Sequence, residues 1–232
     1  MTDRILALKT VSADRTAHNG FVWPIDAGAV VEAPDWDPTP ECGGGLHGLP
    51  FGEGEGQLLN WTPGAIWIAF WCDEVDTVAF DGKIKTRRAE IACAGERRTV
   101  TDFVISHGGQ SRAVAGANVS AGRWGTATAG DEGTATAGYR GTATAGYWGT
   151  ATAGYWGTAT AGDRGTATAG YEGTATAGDG GTATVGDRGT IVIRWYDGSR
   201  CRLTTLYVGE DGIEPNVAYH LDDKGRPVRV KP

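Results

Sequence analysis

The sequence predicts a mainly β fold built around a central, two-sided parallel β-solenoid with sixteen residues in each coil. The first observation is a tandem repeat: the hexamer Gly-Thr-Ala-Thr-Ala-Gly occurs seven times, every eight residues from Gly125 to Gly173, and a variant copy follows at Gly181. The second is composition, since Gly makes up 38 of the 232 residues. A fixed period with alternating Thr and Ala indicates a regular array rather than a disordered chain.

The third observation is the spacing of the variable residues between the hexamers. The seventh residues of alternate octads form two series sixteen residues apart: Tyr139, Tyr155 and Tyr171 in one, and Asp131, Asp163 and Asp179, interrupted by Tyr147, in the other. A coil of two octads explains this spacing, because each octad then supplies one strand and one corner, and alternate octads stack on opposite sides. An antiparallel meander with one octad per strand is the alternative.

Strand alternation assigns the two sides of each repeat. Both Thr residues of a Thr-Ala-Thr stretch lie on one side of the strand, and the Ala between them lies on the other. Ala fits between two closely packed sheets and Thr suits an exposed sheet surface, so we expect Ala inside, Thr outside, and Gly at corners that need unusual backbone angles. The inverse arrangement stays open, although an unpaired buried hydroxyl costs about 1–3 kcal/mol.

Residues 1–108 are not repetitive and predict a β-rich (α+β) N-terminal domain. We expect strands at Ile5–Lys9, Ala65–Cys72 and Val75–Phe80, with a turn at Asp81–Lys85. The pattern predicts no long amphipathic helix. The solenoid then takes residues 109–190, beginning with a degenerate octad at Ala117–Trp124.

Residues 191–232 predict a C-terminal β cap. A hairpin is expected around Asp197-Gly198, and a second short pair of strands within residues 218–230. Such a segment would close the array, because the terminal unit of a repeat stack needs a different outer face.

Charge and hydropathy exclude several classes of protein. The net charge of −7 argues against a nucleic-acid partner. The first sixteen residues lack an apolar core of signal-peptide length, and the longest apolar run, Ala65–Cys72, is too short to cross a bilayer. We therefore expect a cytoplasmic protein with no membrane partner. Four widely spaced cysteines without a CxxC motif are expected to be reduced and mostly buried: Cys42, Cys72, Cys93 and Cys201.

The repeat resembles that of bacterial ice nucleation proteins. The sixteen residues from Ala153 to Thr168 read AGYWGTATAGDRGTAT. They combine the features of the family's repeat: Ala-Gly-Tyr opening one octad, an acidic residue after Ala-Gly in the next, and a Thr-x-Thr motif. The resemblance implies a β-solenoid whose Thr-x-Thr rows order water, and a tyrosine ladder along one edge that pairs two solenoids.

Carried over to this chain, the resemblance assigns two sets of water- or ice-binding pairs and one ladder. One face has Thr134/Thr136, Thr150/Thr152, Thr166/Thr168 and Thr182/Thr184. The other has Thr126/Thr128, Thr142/Thr144, Thr158/Thr160 and Thr174/Thr176. The self-association ladder is Tyr139, Tyr155 and Tyr171.

This array departs from the family in its length and its corners. It has about five coils where ice nucleation proteins have dozens, so at roughly 4.8 Å per rung it is about 20–25 Å long. Both faces carry Thr, and Trp148 and Trp156 stand at corners. The region before the array also resembles an uncharacterised domain that precedes octad repeats in bacterial and phage proteins, which adds no chemistry.

The remaining candidate site is a glycine-rich loop flanked by Cys42 and His47. A catalytic pair would need a third, orienting group in contact, and a zinc site would need two further ligands such as Cys72, Cys93 or His107, at no recognised spacing. The Gly-Glu-Gly-Glu-Gly stretch from Gly52 lacks the lysine and the strand–helix context of a phosphate loop. No cofactor is predicted.

The sequence thus favours a non-enzymatic protein whose exposed Thr-x-Thr rows form an ice-nucleation-like, water-ordering or ice-binding surface. The alternative is a structural module, in which the solenoid is a rigid strut or self-assembles through the tyrosine edge. A third hypothesis, from the enzyme class, places chemistry on the Cys42–His47 loop. The expected partners are water or ice and a second copy of the chain.

Overall fold

A computed structural model describes residues 3–17 and 20–231. The chain divides into two compact units, Met1–Ala117 and Asn118–Pro232. The second unit holds both the repeats and the C-terminal strands, because those strands pair directly with the last repeats. The division into segments at 108 and 190 stays a prediction.

The N-terminal unit is an antiparallel sheet with one short helix. Within the described residues its strands are β1 (Arg4–Val11), β2 (Val30–Glu32), β3 (Leu46–Pro50), β4 (Ile66–Asp73), β5 (Thr77–Phe80), β6 (Lys83–Thr86) and β7 (Arg88–Gly95). Their spatial order is β2-β7-β4-β1-β3-β6-β5. The long central pair, β1 and β4, is in register over its full length, from Arg4 opposite Asp73 to Val11 opposite Ile66. Buried Trp23, Phe70 and Ile91 are among the side chains that fill the core of this unit.

The predicted strands of this unit are present, although the one expected at Val75–Phe80 begins only at Thr77, after a short 3-10 turn at Glu74–Asp76. The turn expected at Asp81–Lys85 is shorter: Asp81-Gly82 joins β5 to β6, and Lys83–Lys85 are already part of β6. The helix α1 (Arg97–Val104) was not predicted. It has only two turns, so its apolar periodicity is reduced to Val100 and Val104, both fully buried. An irregular turn, Ile105–Gly109, follows it.

The second unit is the predicted two-sided parallel solenoid. One sheet contains β8 (Asn118–Ala121), β10 (Thr134–Ala137), β12 (Thr150–Ala153), β14 (Thr166–Ala169) and β16 (Thr182–Val185). The other contains β9 (Thr126–Thr128), β11 (Thr142–Ala145), β13 (Thr158–Ala161), β15 (Thr174–Ala177) and β17 (Thr190–Tyr196). Each strand pairs in parallel with the strand sixteen residues away, as in Thr150 with Thr166. This register excludes the antiparallel meander.

Alanine lies inside the solenoid and threonine outside. The central alanines, such as Ala151 and Ala167, are fully buried, and the second alanine of each strand is nearly so. This core is thin, because a methyl group is all that each position places between the sheets. The backbone ladder continues through the corners: the N–H of Thr158 donates to the carbonyl of Gly141 at 3.0 Å, and the N–H of Trp156 donates to the carbonyl of Tyr171 at 2.8 Å.

The expected role of the repeat glycines is wrong in one respect. Each corner is a β-turn whose left-handed residue is the eighth of the octad, which is usually not glycine, as at Arg140 with φ 52° and Trp156 with φ 55°. Glycine is needed for space instead. A Cβ on Gly154 would lie 2.8 Å from the carbonyl carbon of Gly138 in the preceding coil, so the coils stack too closely for a side chain there.

The C-terminal strands close the solenoid core. Strand β17 forms the predicted hairpin with β18 (Cys201–Tyr207). The predicted second pair is β19 (Tyr219–Leu221) with β20 (Pro227–Arg229), and β19 pairs with β16. Larger side chains replace alanine at this end, including Ile191, Ile193 and Leu206. The outermost strand β20 is exposed and carries proline and arginine, which are typical of a protected sheet edge.

The cysteines are less buried than expected. Cys72 is buried, but Cys42 and Cys201 are exposed and Cys93 is half-buried, and all four are free thiols. Among the helices that the structure describes, none is long and apolar enough to cross a membrane.

Candidate functional site: the threonine faces and the corner edges

The sixteen repeat threonines form regular rows on two outer faces. On the first face the strands are in register, so one row is Thr134, Thr150, Thr166 and Thr182, and the next is Thr136, Thr152, Thr168 and Thr184. On the second face one row is Thr126, Thr142, Thr158 and Thr174, and the next is Thr128, Thr144, Thr160 and Thr176. Strand geometry spaces the rows by about 6.6–6.8 Å and the rungs by about 4.8 Å. The result is a two-dimensional grid of hydroxyl and methyl groups.

The threonines are less exposed than the expected open surface. None of the sixteen is buried, but only six are classed as exposed: Thr126, Thr136, Thr142, Thr150, Thr158 and Thr166. On the second face the whole row of second threonines is half-buried: Thr128, Thr144, Thr160 and Thr176. The remaining half-buried threonines are Thr134, Thr152, Thr168, Thr174, Thr182 and Thr184. At a rung spacing of about 4.8 Å, each side chain covers part of its neighbours in the row.

The hydroxyls of these threonines make no bond to the protein. Across residues 3–17 and 20–231, none of the sixteen side chains makes a hydrogen bond to another protein group. Each hydroxyl has one donor and two acceptor positions, so water must satisfy them, including those of the half-buried row.

Each face has four complete rungs. On the first face the row continues to Asn118 and Ser120 of β8, which are polar but break the Thr-x-Thr motif. On the second it continues to Thr190 and Val192 of β17, where the second hydroxyl is lost. Four rungs span roughly 15 Å from the first strand to the last.

One edge of the solenoid is lined by aromatic and arginine side chains. It contains the three predicted tyrosines, and the structure brings Tyr155 and Tyr171 together with ring centroids 6.2 Å apart. Tyr139 instead packs edge-on against Trp156, at 5.2 Å, and against Trp124, at 6.2 Å. We call this row of residues 123–124, 139–140, 155–156, 171–172 and 187–188 the aromatic edge.

Arginines are interleaved with the rings of the aromatic edge. The guanidinium of Arg140 lies 4.8 Å from the ring of Trp124 and 4.7 Å from the ring of Trp156. Lower on the edge, Trp156 Nε1 donates to Glu172 at 2.6 Å, and this hydrogen bond and that of Tyr171 hold the pKa of Glu172 below its usual range. Cation–π and hydrogen-bond contacts thus run along the edge from coil to coil.

The eighth octad residues of this edge were not recognised as a set in the sequence. They are Trp124, Arg140, Trp156, Glu172 and Arg188. Their spacing of sixteen is the same signal that revealed the tyrosines. Large parts of the edge are open to solvent, since Trp124 is 62% and Tyr155 is 63% exposed.

The opposite edge has a different chemistry. There the Asp131 carboxylate accepts a hydrogen bond of 2.8 Å from the backbone N–H of Tyr147, and Asp163 accepts one of 2.8 Å from the N–H of Asp179. Each aspartate thus binds the corner of the next coil. Trp148 belongs to this edge, with Arg164 5.5 Å from its ring.

The structure does not assemble the catalytic or zinc site considered for the Cys42–His47 loop. The Cys42 sulfur accepts a hydrogen bond from Lys83 Nζ at 2.9 Å, the Cys72 sulfur lies 3.5 Å from the carbonyl oxygen of Ile5, and His107 Nδ1 lies 2.8 Å from that of Phe103. In the described ranges no three His, Cys, Asp or Glu side chains form a group suited to a metal ion.

Comparison with known proteins gives ice nucleation proteins as relatives. The chain is 30% identical over 107 residues to ice nucleation protein InaU of Pantoea ananas, a match that covers 45% of this chain and 10% of the relative. It is 33% identical over 109 residues to an ice nucleation protein of Xanthomonas campestris pv. translucens, covering 46% and 7%. A Pseudomonas fluorescens ice nucleation protein is 29% identical over 105 residues, covering 44% and 8%.

The matched part is a small share of each of these relatives, a tenth of their length or less. No family model matches the chain, and no solved structure matches it. Sequence similarity and the sixteen-residue parallel coils agree on one conclusion: the repeat array of this chain is an ice nucleation protein-like β-solenoid.

Proposed function

We propose that this chain is a non-enzymatic repeat protein whose outward Thr-x-Thr rows order water and form an ice-binding or ice-nucleation-like surface. The observation that carries the proposal is the grid itself. On each face, four rungs of paired threonines stand in register with their hydroxyls free of protein hydrogen bonds. Water held at fixed spacings on such a grid is pre-arranged to join an ordered lattice.

The small size of the grid limits what it does. Four rungs of about 15 Å organise few water molecules, whereas starting a crystal requires an ordered patch large enough to grow. We therefore expect the surface to bind existing ice better than it nucleates new ice. The similarity to proteins named for ice nucleation supports the type of surface rather than its efficiency.

The test compares ice recrystallisation inhibition and thermal hysteresis for the wild-type protein and the Thr150→Lys/Thr152→Lys variant. These lysines would place two charged side chains in the middle of one face. The control is Leu203→Lys/Thr205→Lys on β18, which adds the same charge at an exposed i, i+2 pair outside the rows. Loss of activity in the first variant alone supports the proposal. A folded wild-type protein with no effect on ice contradicts it.

The aromatic edge supports a second candidate function, self-association of the solenoid as a strut. Exposed tryptophan, tyrosine and arginine are the side chains enriched in protein interfaces, and Trp124, Tyr155 and Trp156 are 62%, 63% and 40% exposed along one line. A second copy of the chain is the proposed partner. Sedimentation velocity over a range of concentrations tests it, with dimers or filaments as the expected species.

A further inference from the structure

The N-terminal unit contains a cavity that the proposed function does not use. It has a volume of about 410 Å³ and lies beside a second cavity of about 80 Å³. Both are lined by Lys9, Thr10, His47 and Leu58, and the larger one is walled by Phe21 and Trp23. A volume of this order accommodates a small organic molecule.

The first polar group in the cavity is the ammonium of Lys9. Its Nζ lies 4.3 Å from the centre of the Trp23 ring, and burial lowers the pKa of Lys9 to about 8. No carboxylate forms an ion pair with it in the part of the chain that the structure describes. Lys9 is partly buried, and a cation that has lost part of its water without gaining a counter-ion is unfavourable, so an anionic ligand would stabilise this nitrogen.

The second polar group is the imidazole of His47, on the adjacent strand β3. Its Nε2 is buried and has no hydrogen-bond partner among the described residues. Burial, together with the positive charges of Lys9, Lys83 and Lys85, lowers the pKa of His47 to about 4. The ring is therefore neutral at pH 7 and adds no positive charge to the lining of the cavity.

The charges around the cavity favour a monoanion. Lys85 is fixed by hydrogen bonds of 3.0 Å to the carbonyls of Glu41 and Gly43, which holds the glycine-rich loop against the sheet. Lys83 donates to Cys42. Asp35 is the acidic residue in the lining of the larger cavity, and its charge would oppose a dianion such as phosphate.

We propose that this cavity binds a small aromatic carboxylic acid, with its carboxylate on Lys9 Nζ and its ring against Phe21 and Leu58 of the lining. The carboxylate supplies the counter-ion that Lys9 lacks. Trp23 forms the inner wall: it is 1% exposed, and Lys9 Nζ lies over its ring. This site lies outside the repeat array and is independent of ice binding.

The experiment is isothermal titration calorimetry of the full chain at neutral pH with benzoate and with indole-3-acetate. Benzyl alcohol is the uncharged match for benzoate, and inorganic phosphate is the competing anion. The test variant is Lys9→Met, which keeps the length of the side chain and removes the charge. The control is Lys224→Met, an exposed lysine in a C-terminal turn. Circular dichroism checks that each variant is folded.

We expect saturable binding of at least one of the two acids, weakened about tenfold or more by Lys9→Met and unchanged by Lys224→Met. A second variant, Phe21→Ala, should also weaken binding, because it removes the ring against which the acid packs. The proposal is overturned if neither acid binds saturably, or if Lys9→Met binds as tightly as the wild type. It is equally overturned if benzyl alcohol or phosphate binds more tightly than the acids.

Discussion

Asp163 accepts a hydrogen bond from the backbone N–H of Asp179, sixteen residues further along the chain, at 2.8 Å. The same bond joins Asp131 to Tyr147 in another pair of stacked coils. The carboxylates of Asp131 and Asp163 therefore have a structural role, because each binds the corner of the coil stacked on it. Aspartate reaches this N–H with its short side chain and an ionised acceptor.

Removing such a carboxylate should loosen one corner. We expect Asp163→Ala to lower the free energy of unfolding by about 1–2 kcal/mol, since a charged hydrogen bond and the contact with Arg194 are both lost. Asp179→Ala is the matched control, because within the described residues the Asp179 carboxylate makes no hydrogen bond. Urea unfolding of the two variants compares them. Equal losses of stability would show that the bond to the next coil contributes nothing.

The glycines at the sixth octad position give a second stability prediction. A Cβ on Gly154 would lie 2.8 Å from the carbonyl carbon of Gly138 and 2.9 Å from the backbone nitrogen of Tyr139, and backbone atoms cannot turn aside. A Cβ on Gly122, at the same position of the first coil, would meet nothing within 4 Å. We expect Gly154→Ala to destabilise the solenoid by about 1–3 kcal/mol. Gly122→Ala should change the thermal unfolding midpoint little, and a similar drop in both variants would contradict close coil stacking as the cause.

Much of the solenoid could be predicted from the repeat, because the spacing of the repeated residues also determines how the coils stack. The series Tyr139, Tyr155, Tyr171 gives the length of the coil, and that length gives the strand register. Alternation then places Ala151 inside and Thr150 outside. The sequence pattern did not reveal why residue 154 is glycine. The reason is the close approach of backbone atoms from another coil, and not the backbone angle of Gly154 itself.

The repeat pattern also did not predict how much of each threonine is exposed to solvent. Thr158 and Thr160 lie on the same side of one strand with Ala159 between them, yet Thr158 is exposed and Thr160 is half-buried. Alternation gives the side of the strand on which a residue lies. It does not give how much of that residue the stacked coils and the nearby corner cover.

The N-terminal unit was less predictable, for a related reason. Its strands were visible as apolar runs, but its candidate site depends on which strands are neighbours. Lys9 and His47 come together only because β1 pairs with β3, a contact between segments about forty residues apart. The spacing of Lys9 and His47 in the sequence does not predict the pairing of β1 with β3.

The neutral His47 predicts how the N-terminal unit responds to acid. The pKa of His47 is lowered from 6.5 to about 4 by burial. Between these two values the unfolded chain takes up a proton that the folded chain does not, so the free energy of unfolding falls as the pH falls. The slope stays below about 1.4 kcal/mol per pH unit, because a single imidazole takes up at most one proton.

Urea unfolding at several pH values between about 7 and 4.5 measures that slope. His47→Gln should flatten it, since glutamine does not titrate. His220→Gln is the control in the other unit and should leave the slope unchanged. A wild-type slope that survives His47→Gln would assign the acid sensitivity to other groups.

We expect the aromatic edge, and not the opposite edge, to be required for self-association of the solenoid. If self-association uses this edge, Tyr139→Ser/Tyr155→Ser/Tyr171→Ser should dissociate the dimer or filament, because the rings of three coils are removed at once. Tyr147→Ser is the control, since Tyr147 lies on the opposite edge. Sedimentation velocity gives the mass of each species. Assembly that persists in the triple variant, or that Tyr147→Ser abolishes, would place the interface elsewhere.

The last prediction separates the hydroxyl from the methyl group of the threonine grid. Replacing Thr150, Thr152, Thr166 and Thr168 by valine removes four hydroxyls but keeps the β-branched shape and the preference for a strand. None of these hydroxyls bonds to the protein in the residues described, so the variant should fold with a stability close to that of the wild type. If the hydroxyls position the water, ice recrystallisation inhibition should fall sharply. Replacement by serine keeps the hydroxyls and should preserve more of the activity than valine does. The reverse ranking, with valine active and serine inactive, would mean that the methyl groups rather than the hydroxyls hold the ordered water.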